Sequence, residues 1–265
     1  MHPIERLRYV ARAGGVDQAL LTREAAGALA SLGMDPAGLV TSCRRLVGKH
    51  PRAGALWTLA ARVLTSTEPM QAAWQLTEDL DADPTARELA SALPDDATIA
   101  IVGWSDTIPA ALVRRGDVRV LVVDQFGDGS GLVSQLEDRD VDAYDVPSWG
   151  LGSAATSADV VVLEAAIAGD GGIVAPAGSL AAAATARVAG SKVWAVVPVG
   201  RALPSPMWRY ASAPLGGPDP WNHEDEVVPV DLIDAVIGPS GKRPGNELRL
   251  RTDCVVAPEL LKPVV

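Results

Sequence analysis

The segment from Ala158 to Ser179, ADVVVLEAAIAGDGGIVAPAGS, does most to fix the fold class. Asp159 to Leu163 is a run of near-apolar residues without alternation, the pattern of a parallel strand covered on both faces. Small residues and two glycine turns follow. Gly169, Gly171, Gly172 and Gly178 let backbone come close to whatever sits at the strand's carboxyl end. An α/β fold is therefore expected, with a ligand contact or a solvated loop after this strand. From Glu164 to Ser179 the only ionisable or hydroxyl groups are Glu164, Asp170 and Ser179.

Upstream, the chain reads as helical. Leu20, Leu21, Ala25, Ala28, Leu29 and Leu32 recur at helical spacing from Gln18, and Gly33 is a stop signal. Similar patterns predict helices over Pro36 to Val47, Ala53 to Leu64 and Pro69 to Leu93. After Pro94-Asp95-Asp96 the character changes to short β-rich runs, TIAIVGW, VRVLVVD, VDAYDV, ADVVVL and KVWAVVP. Helical segments at Ile108 to Arg115, Gly131 to Asp138 and Leu180 to Ala189 separate several of them. Strands spaced by helices predict βαβ units and a mainly parallel sheet with right-handed crossovers. The expected division is an α-helical domain over residues 1–94 and an α/β domain over 95–265. The Pro/Gly-rich stretch from Val199 to Pro220 reads as an ordered loop or a partner contact.

Composition removes several function classes. With 48% hydrophobic and 21% charged residues, a chain of 265 residues can bury a full core. A net charge of -10 argues against direct nucleic-acid binding, which needs a basic face. Cys43 and Cys254 lie far apart with no CxxC or Cys/His cluster, so no disulfide framework or zinc site is expected, and a reducing cytoplasm suits them. His2, His50 and His223 lack metal-ligand spacing, and the tract Asn222 to Glu226 reads as a solvated acidic turn. No metal or cofactor is expected. No apolar stretch approaches the roughly 18 residues of a membrane span.

In open α/β sheets chemistry sits beyond the carboxyl ends of strands. The first such turn is Gly103-Trp104-Ser105-Asp106-Thr107, where Ser105, Asp106 and Thr107 either cap the next helix or leave its N–H groups to a phosphate. The second opens with Asp124, placed where dinucleotide folds hold ribose hydroxyls, although no GxGxxG follows the first strand. The third is the segment after Leu163. Arg44, Arg45, Lys49 and Arg52 form the densest basic cluster, either a solvated helix face or a phosphate clamp.

In order along the chain, the helical region, IAIVGWSDT, RVLVVDQFGDGSGLVSQL, ADVVVLEAAIAGDGGIVAPAGSLAAAATA, KVWAVVPVGR and DCVVAPELL together resemble the translation initiation factor two B regulatory subunits. That family also holds methylthioribose-1-phosphate isomerase and ribose-1,5-bisphosphate isomerase. Asp170-Gly171 takes the place of the family's N-G pair, Gly178 that of a later glycine, and Leu180 to Ala189 that of an alanine-rich helix. His50-Pro51-Arg52-Ala53 resembles the family's R-P-T-A helix opening. Asp253 with Pro258-Glu259-Leu260 resembles its closing stretch. The resemblance implies a helical domain joined to a Rossmann-like domain, a homodimer formed through the latter, and a sugar-phosphate or nucleotide pocket between the two.

The departures bear on activity. The family's isomerases are expected to use a cysteine after the first strand and an aspartate in a G-A-D triplet. The cysteine's position falls at or beside Trp104, the aspartate's at Ala165 next to Glu164, and an N-K pair at Ala175-Pro176. The resemblance thus implies a noncatalytic binding or regulatory homodimer. The alternative is a divergent isomerase of a phosphorylated sugar, with Asp106 or Glu164 recruited as acid or base and Arg52, Gly103, Ser105, Thr107, Asp124, Asp170, Gly171, Gly178 and Ser179 around the ligand. A third reading, a subunit of a mixed complex, rests on exposed-type Trp208 and Trp221 in the Pro/Gly-rich stretch.

Overall fold

Five helices open the described chain, α1 (Gln18–Ala30), α2 (Pro36–Lys49), α3 (Gly54–Thr65), α4 (Pro69–Asp81) and α5 (Thr85–Ala92). The computed structural model describes residues 17–30, 36–127 and 129–262; the expected stop at Gly33, along with Leu32 and His2, lies outside them. The single helix expected over Pro69 to Leu93 is two. Its break falls at Asp83-Pro84, where the Asp83 carboxylate accepts the Thr85 N–H at 2.9 Å and hydroxyl at 2.6 Å and restarts the chain as α5. The other Asp83 oxygen accepts the Val199 N–H at 2.8 Å, pinning the helical layer to a loop of the sheet.

Strands and helices then alternate: β1 (Thr98–Val102), α6 (Ile108–Arg115), β2 (Arg119–Asp124), α7 (Gly129–Glu137), β3 (Asp142–Pro147), α8 (Leu151–Ser157) and β4 (Val160–Glu164). A hairpin, β5 (Ile167–Gly169) and β6 (Gly172–Pro176), precedes α9 (Ser179–Ala189), β7 (Lys192–Val196), α10 (Ser205–Ser212), β8 (Asp225–Pro229), β9 (Ala235–Gly238) and β10 (Gly241–Pro244). The main sheet has seven strands in the order β10-β9-β7-β4-β1-β2-β3, parallel except for β10. Strands β5, β6 and β8 form a separate antiparallel sheet.

Sequence alternation divides the main sheet's two faces. Ile99, Ile101, Val120, Val122, Val160, Val162 and Ile237 pack with α6, α7 and Leu89, Ala90 and Leu93 around α5. Ala100, Val102, Val161, Leu163 and Ala195 pack with Ala154, Ala155, Ala182, Ala183 and Ala186 on the opposite face. Both faces are covered, as the unalternating hydrophobic runs require. A third core joins α1–α4 to Ile167, Val174, Met207 and Trp208 of the second sheet and α10. The strand order reverses between β1 and β4, so a crevice opens at their carboxyl ends.

Three local expectations need correction. The Val199 to Pro220 stretch contains α10, whose start Pro206 supports with a preset φ. Trp208 on that helix is buried, not exposed, because its ring lies on Gly169 and Gly171; a Cβ at Gly169 would sit 2.4 Å from it. The acidic tract is no solvated turn at its end, since Asp225 and Glu226 begin β8 and pair with Pro176 and Ala175.

Candidate functional site

Strand β1 ends at Val102, and Gly103 turns the chain with φ +66°, a conformation glycine adopts without strain, its N–H bonded to the Val123 carbonyl at 2.9 Å. The loop Trp104 to Thr107 then feeds α6. Because β4 lies beside β1, its last residue, Glu164, comes up beneath the N-terminus of α6. The Glu164 carboxylate accepts the Thr107 N–H at 2.8 Å, the Ile108 N–H at 3.2 Å and the Thr107 hydroxyl at 3.0 Å, together with the Ser105 hydroxyl. It caps the helix from a distant strand and meets the positive end of its dipole.

Arg201, in the loop after β7, completes this cluster. One guanidinium nitrogen lies 3.4 Å from Glu164 Oε1 and 3.5 Å from Asp106 Oδ2, and the other donates to the Ala165 carbonyl at 2.9 Å. The side chains of Arg201 and Glu164 are only 6% and 7% exposed. Burial pushes the Asp106 carboxyl above its ordinary value, the Glu164 charge adds to that, and Arg201 pulls the other way.

The helical layer closes the crevice from above. Gln18, at the start of α1, donates its backbone N–H to Asp106 at 3.5 Å and its amide to the Arg52 and Ala166 carbonyls at 3.3 and 3.1 Å. Arg52 reaches across to β8, bonding Asp225 and approaching Glu224 at 3.4 Å. Burial pushes the Asp225 carboxyl up although Arg52 pulls it down. A cavity of about 990 Å³ lies between these groups, lined among others by Arg52, Ser105, Asp106, Glu164, Arg201 and Asp225.

Of the residues predicted from sequence, Arg52, Ser105, Asp106 and Glu164 meet at this cleft. Thr107 serves the Glu164 carboxylate, and Gly103 lines an adjoining chamber of about 190 Å³ with Trp104 and Phe126. Asp124 closes its own loop, accepting the Gly127 and Gly129 N–H groups at 2.7 and 3.3 Å; Asp128 of that loop lies outside the described residues. Asp170 and Gly171 form the tip of the β5–β6 hairpin, where Asp170 accepts the Ser205 hydroxyl at 2.7 Å and Gly171 lies against the Trp208 indole. Gly178 and Ser179 start α9. Ser179 is fully buried, and Leu180 donates its N–H to Glu226 at 2.7 Å. Asp170, Gly171, Gly178 and Ser179 do not line the cleft.

Sequence reading missed Gln18, Arg201 and Asp225. Arg201 carried a signal, a lone cation directly after the strand KVWAV and its Pro-Val-Gly turn; Gln18 carried none. Ala165, where the resemblance leads one to expect the isomerases' aspartate, is fully buried, and its N–H bonds the Val196 carbonyl. Burial pushes the thiols of Cys43 and Cys254 up to about 12 and about 11, far from nucleophilic use. Among the described residues no group of His, Cys, Asp or Glu is placed to hold a metal ion, and no helix is long and apolar enough to cross a membrane.

No protein-family model and no curated protein matches this chain. Solved structures do. The eIF2B beta subunit of Chaetomium thermophilum superposes with a TM-score of 0.72 at 16% identity, covering 93% of this chain and 89% of that one. The translation initiation factor eIF-2B of Pyrococcus horikoshii OT3 gives 0.72 at 15% identity, covering 91% and 96%. A chain of the tetrameric eIF2B-beta2-delta2 complex of C. thermophilum gives 0.74 at 17% identity, covering 93% and 92%. The likeness spans the helical layer and the sheet together, and at these identities it is one of architecture. The resemblance carried by the strand and glycine motifs therefore holds for the fold: this chain is built as the eIF2B beta and delta subunits are.

Proposed function

We propose that this chain is a noncatalytic binding or regulatory protein on the initiation factor two B regulatory-subunit fold, with the cleft between its helical layer and sheet as the ligand site. The observation that carries this reading is the state of Glu164. Both of its oxygens accept hydrogen bonds from Ser105, Thr107 and Ile108, and Arg201 stands beside it. An acid or base must reach the substrate's proton, within about 2.6 to 3.2 Å. Here the side chain nearest the expected aspartate is instead engaged in holding a helix, and the expected cysteine's position falls at or beside Trp104. The resemblance implies a sugar phosphate or nucleotide as ligand and a homodimer formed through the sheet domain, and the two separated cysteines suit the cytoplasm. The tetrameric assembly of the C. thermophilum beta and delta subunits supports an oligomer. A mixed complex draws on Trp221 alone, which is 75% exposed, since Trp208 is buried.

Purified protein incubated with methylthioribose 1-phosphate and with ribose 1,5-bisphosphate is expected to form no ketose. One observation favours the isomerase alternative: Asp106 lines the cleft with its carboxyl shifted towards the range useful for proton transfer. Ketose formation that disappears in Asp106→Asn would establish that alternative and overturn the noncatalytic reading.

A further inference from the structure

Proteins hold phosphate with few devices, chiefly arginine forks and the free N–H groups of helix N-termini. The cleft has both, and each is already occupied by a carboxylate of this chain. Glu164 takes the Thr107 and Ile108 N–H groups at the start of α6 and stands 3.4 Å from Arg201. Asp225 takes the Arg52 guanidinium, with Glu224 at 3.4 Å as its second partner. The start of α9 repeats the device, with Glu226 on the Leu180 N–H at 2.7 Å. In the cleft itself Lys49, Arg52 and Arg201 face four carboxylates, those of Asp106, Glu164, Glu224 and Asp225. Asp225 is only 14% exposed at its side chain, so a phosphate arriving there meets negative charge that water screens poorly.

The adjoining chamber adds two aromatic side chains to the same charged groups. Trp104 and Phe126 line it, 44% and 53% exposed, with Gly103 and Pro176, and it shares Arg52, Glu224 and Asp225 with the main cleft. These are exposed aromatic side chains beside an acidic cleft, the residue type that stacks on a flat ring. From these observations we infer that the cleft rejects phosphate esters and takes an uncharged ligand with a flat ring and hydroxyl groups, the chemistry of a nucleoside rather than a nucleotide. The ring lies against Trp104 and Phe126, and the hydroxyls donate to the carboxylates of Glu224 and Asp106. Asp225, Glu224 and Glu164 are then specificity-determining residues that act by filling the anion positions. This rests on the reading of the cleft as a binding site and replaces the phosphorylated ligand that the resemblance implies.

Calorimetric titration of the full chain with adenosine and with adenosine monophosphate, a pair differing only in the phosphate, tests the inference. Adenosine is expected to bind at least tenfold more tightly. In Glu224→Gln/Asp225→Asn, which frees Arg52, the monophosphate is expected to gain tenfold or more. Glu224→Gln alone, at a largely exposed side chain, gives the same direction with a smaller gain should the double variant not fold. Monophosphate binding to the wild type as tightly as adenosine would overturn the inference and leave the binding reading standing. Absence of adenosine binding overturns the ligand class. Turnover of a sugar phosphate by the wild type would overturn both this inference and the underlying noncatalytic reading.

Discussion

The carboxyl end of β4 and the tip of the β5–β6 hairpin are separated by only five residues, Ala165 to Gly169, yet they solve opposite problems. At Glu164 the chain brings three buried or half-buried ionisable groups together and satisfies them with each other and with a helix terminus. At Asp170-Gly171 it brings backbone against an indole, and the glycines are there because a Cβ at Gly169 or Gly171 would lie 2.4 or 2.8 Å from Trp208. Close approach is common to both. One serves charge, the other packing, and glycine in a sequence announces the approach without saying what is approached.

The hairpin side is the place to break this comparison first. Trp208→Ala removes a buried ring that joins α10 to the second sheet and the helical core, and should cost about 3–5 kcal/mol in urea unfolding. Since Trp208 does not line the cleft, calorimetric binding to the wild type and variant should match under conditions where both are folded. A binding loss larger than about tenfold, or 1.4 kcal/mol, would show that the hairpin is part of the site after all.

Arg201→Met probes the charged side and should cost about 3 kcal/mol, the low end for breaking a buried pair, because Asp106 is already inclined to take up a proton. Adding Glu164→Gln should recover part of that loss, since the amide presents no uncompensated charge to the same pocket. The Glu164→Gln/Arg201→Met cycle should therefore be strongly non-additive. Trp208→Ala with Arg201→Met should instead add within about 0.5 kcal/mol, as independent sites do. Additivity in the first cycle would mean that Arg201 does not compensate Glu164.

The same contrast explains what could be read from residues alone. Helix α6 was legible to the residue because Thr107, Pro109 and Gly116 punctuate both ends, and Gly116 sits at the left-handed C-cap with φ +69°. Strand β4 and the parallel sheet were legible from hydrophobic runs that both faces bury. Arg52, Ser105, Asp106 and Glu164 were legible as candidates because strand ends and helix starts restrict where such residues can point. The partners were not. Asp225 pairs with Arg52 across 173 residues of chain, and Gln18 reaches Ala166 across 148. Nothing local encodes either contact. Trp208 misled for a related reason, since a Pro/Gly-rich neighbourhood signals turns but is silent on whether the turns wrap a core.

The smallest effect concerns Asp106 and sharpens the comparison through pH. Its carboxyl is pushed above the ordinary value of 3.8, first by burial and then by Glu164. An acid with a raised folded-state pKa binds its proton more tightly folded than unfolded. Its contribution to stability is complete below the ordinary value and is lost as pH rises through the folded one. Asp106→Asn cannot ionise and so escapes that loss. The stability of the variant relative to the wild type should therefore improve steadily from about pH 4 towards neutrality and level off above the folded pKa. The slope is the test, because the amide's altered contact with Arg201 shifts both ends alike. A difference that is flat with pH would mean that the Asp106 proton is held no more tightly in the folded protein than in the unfolded chain.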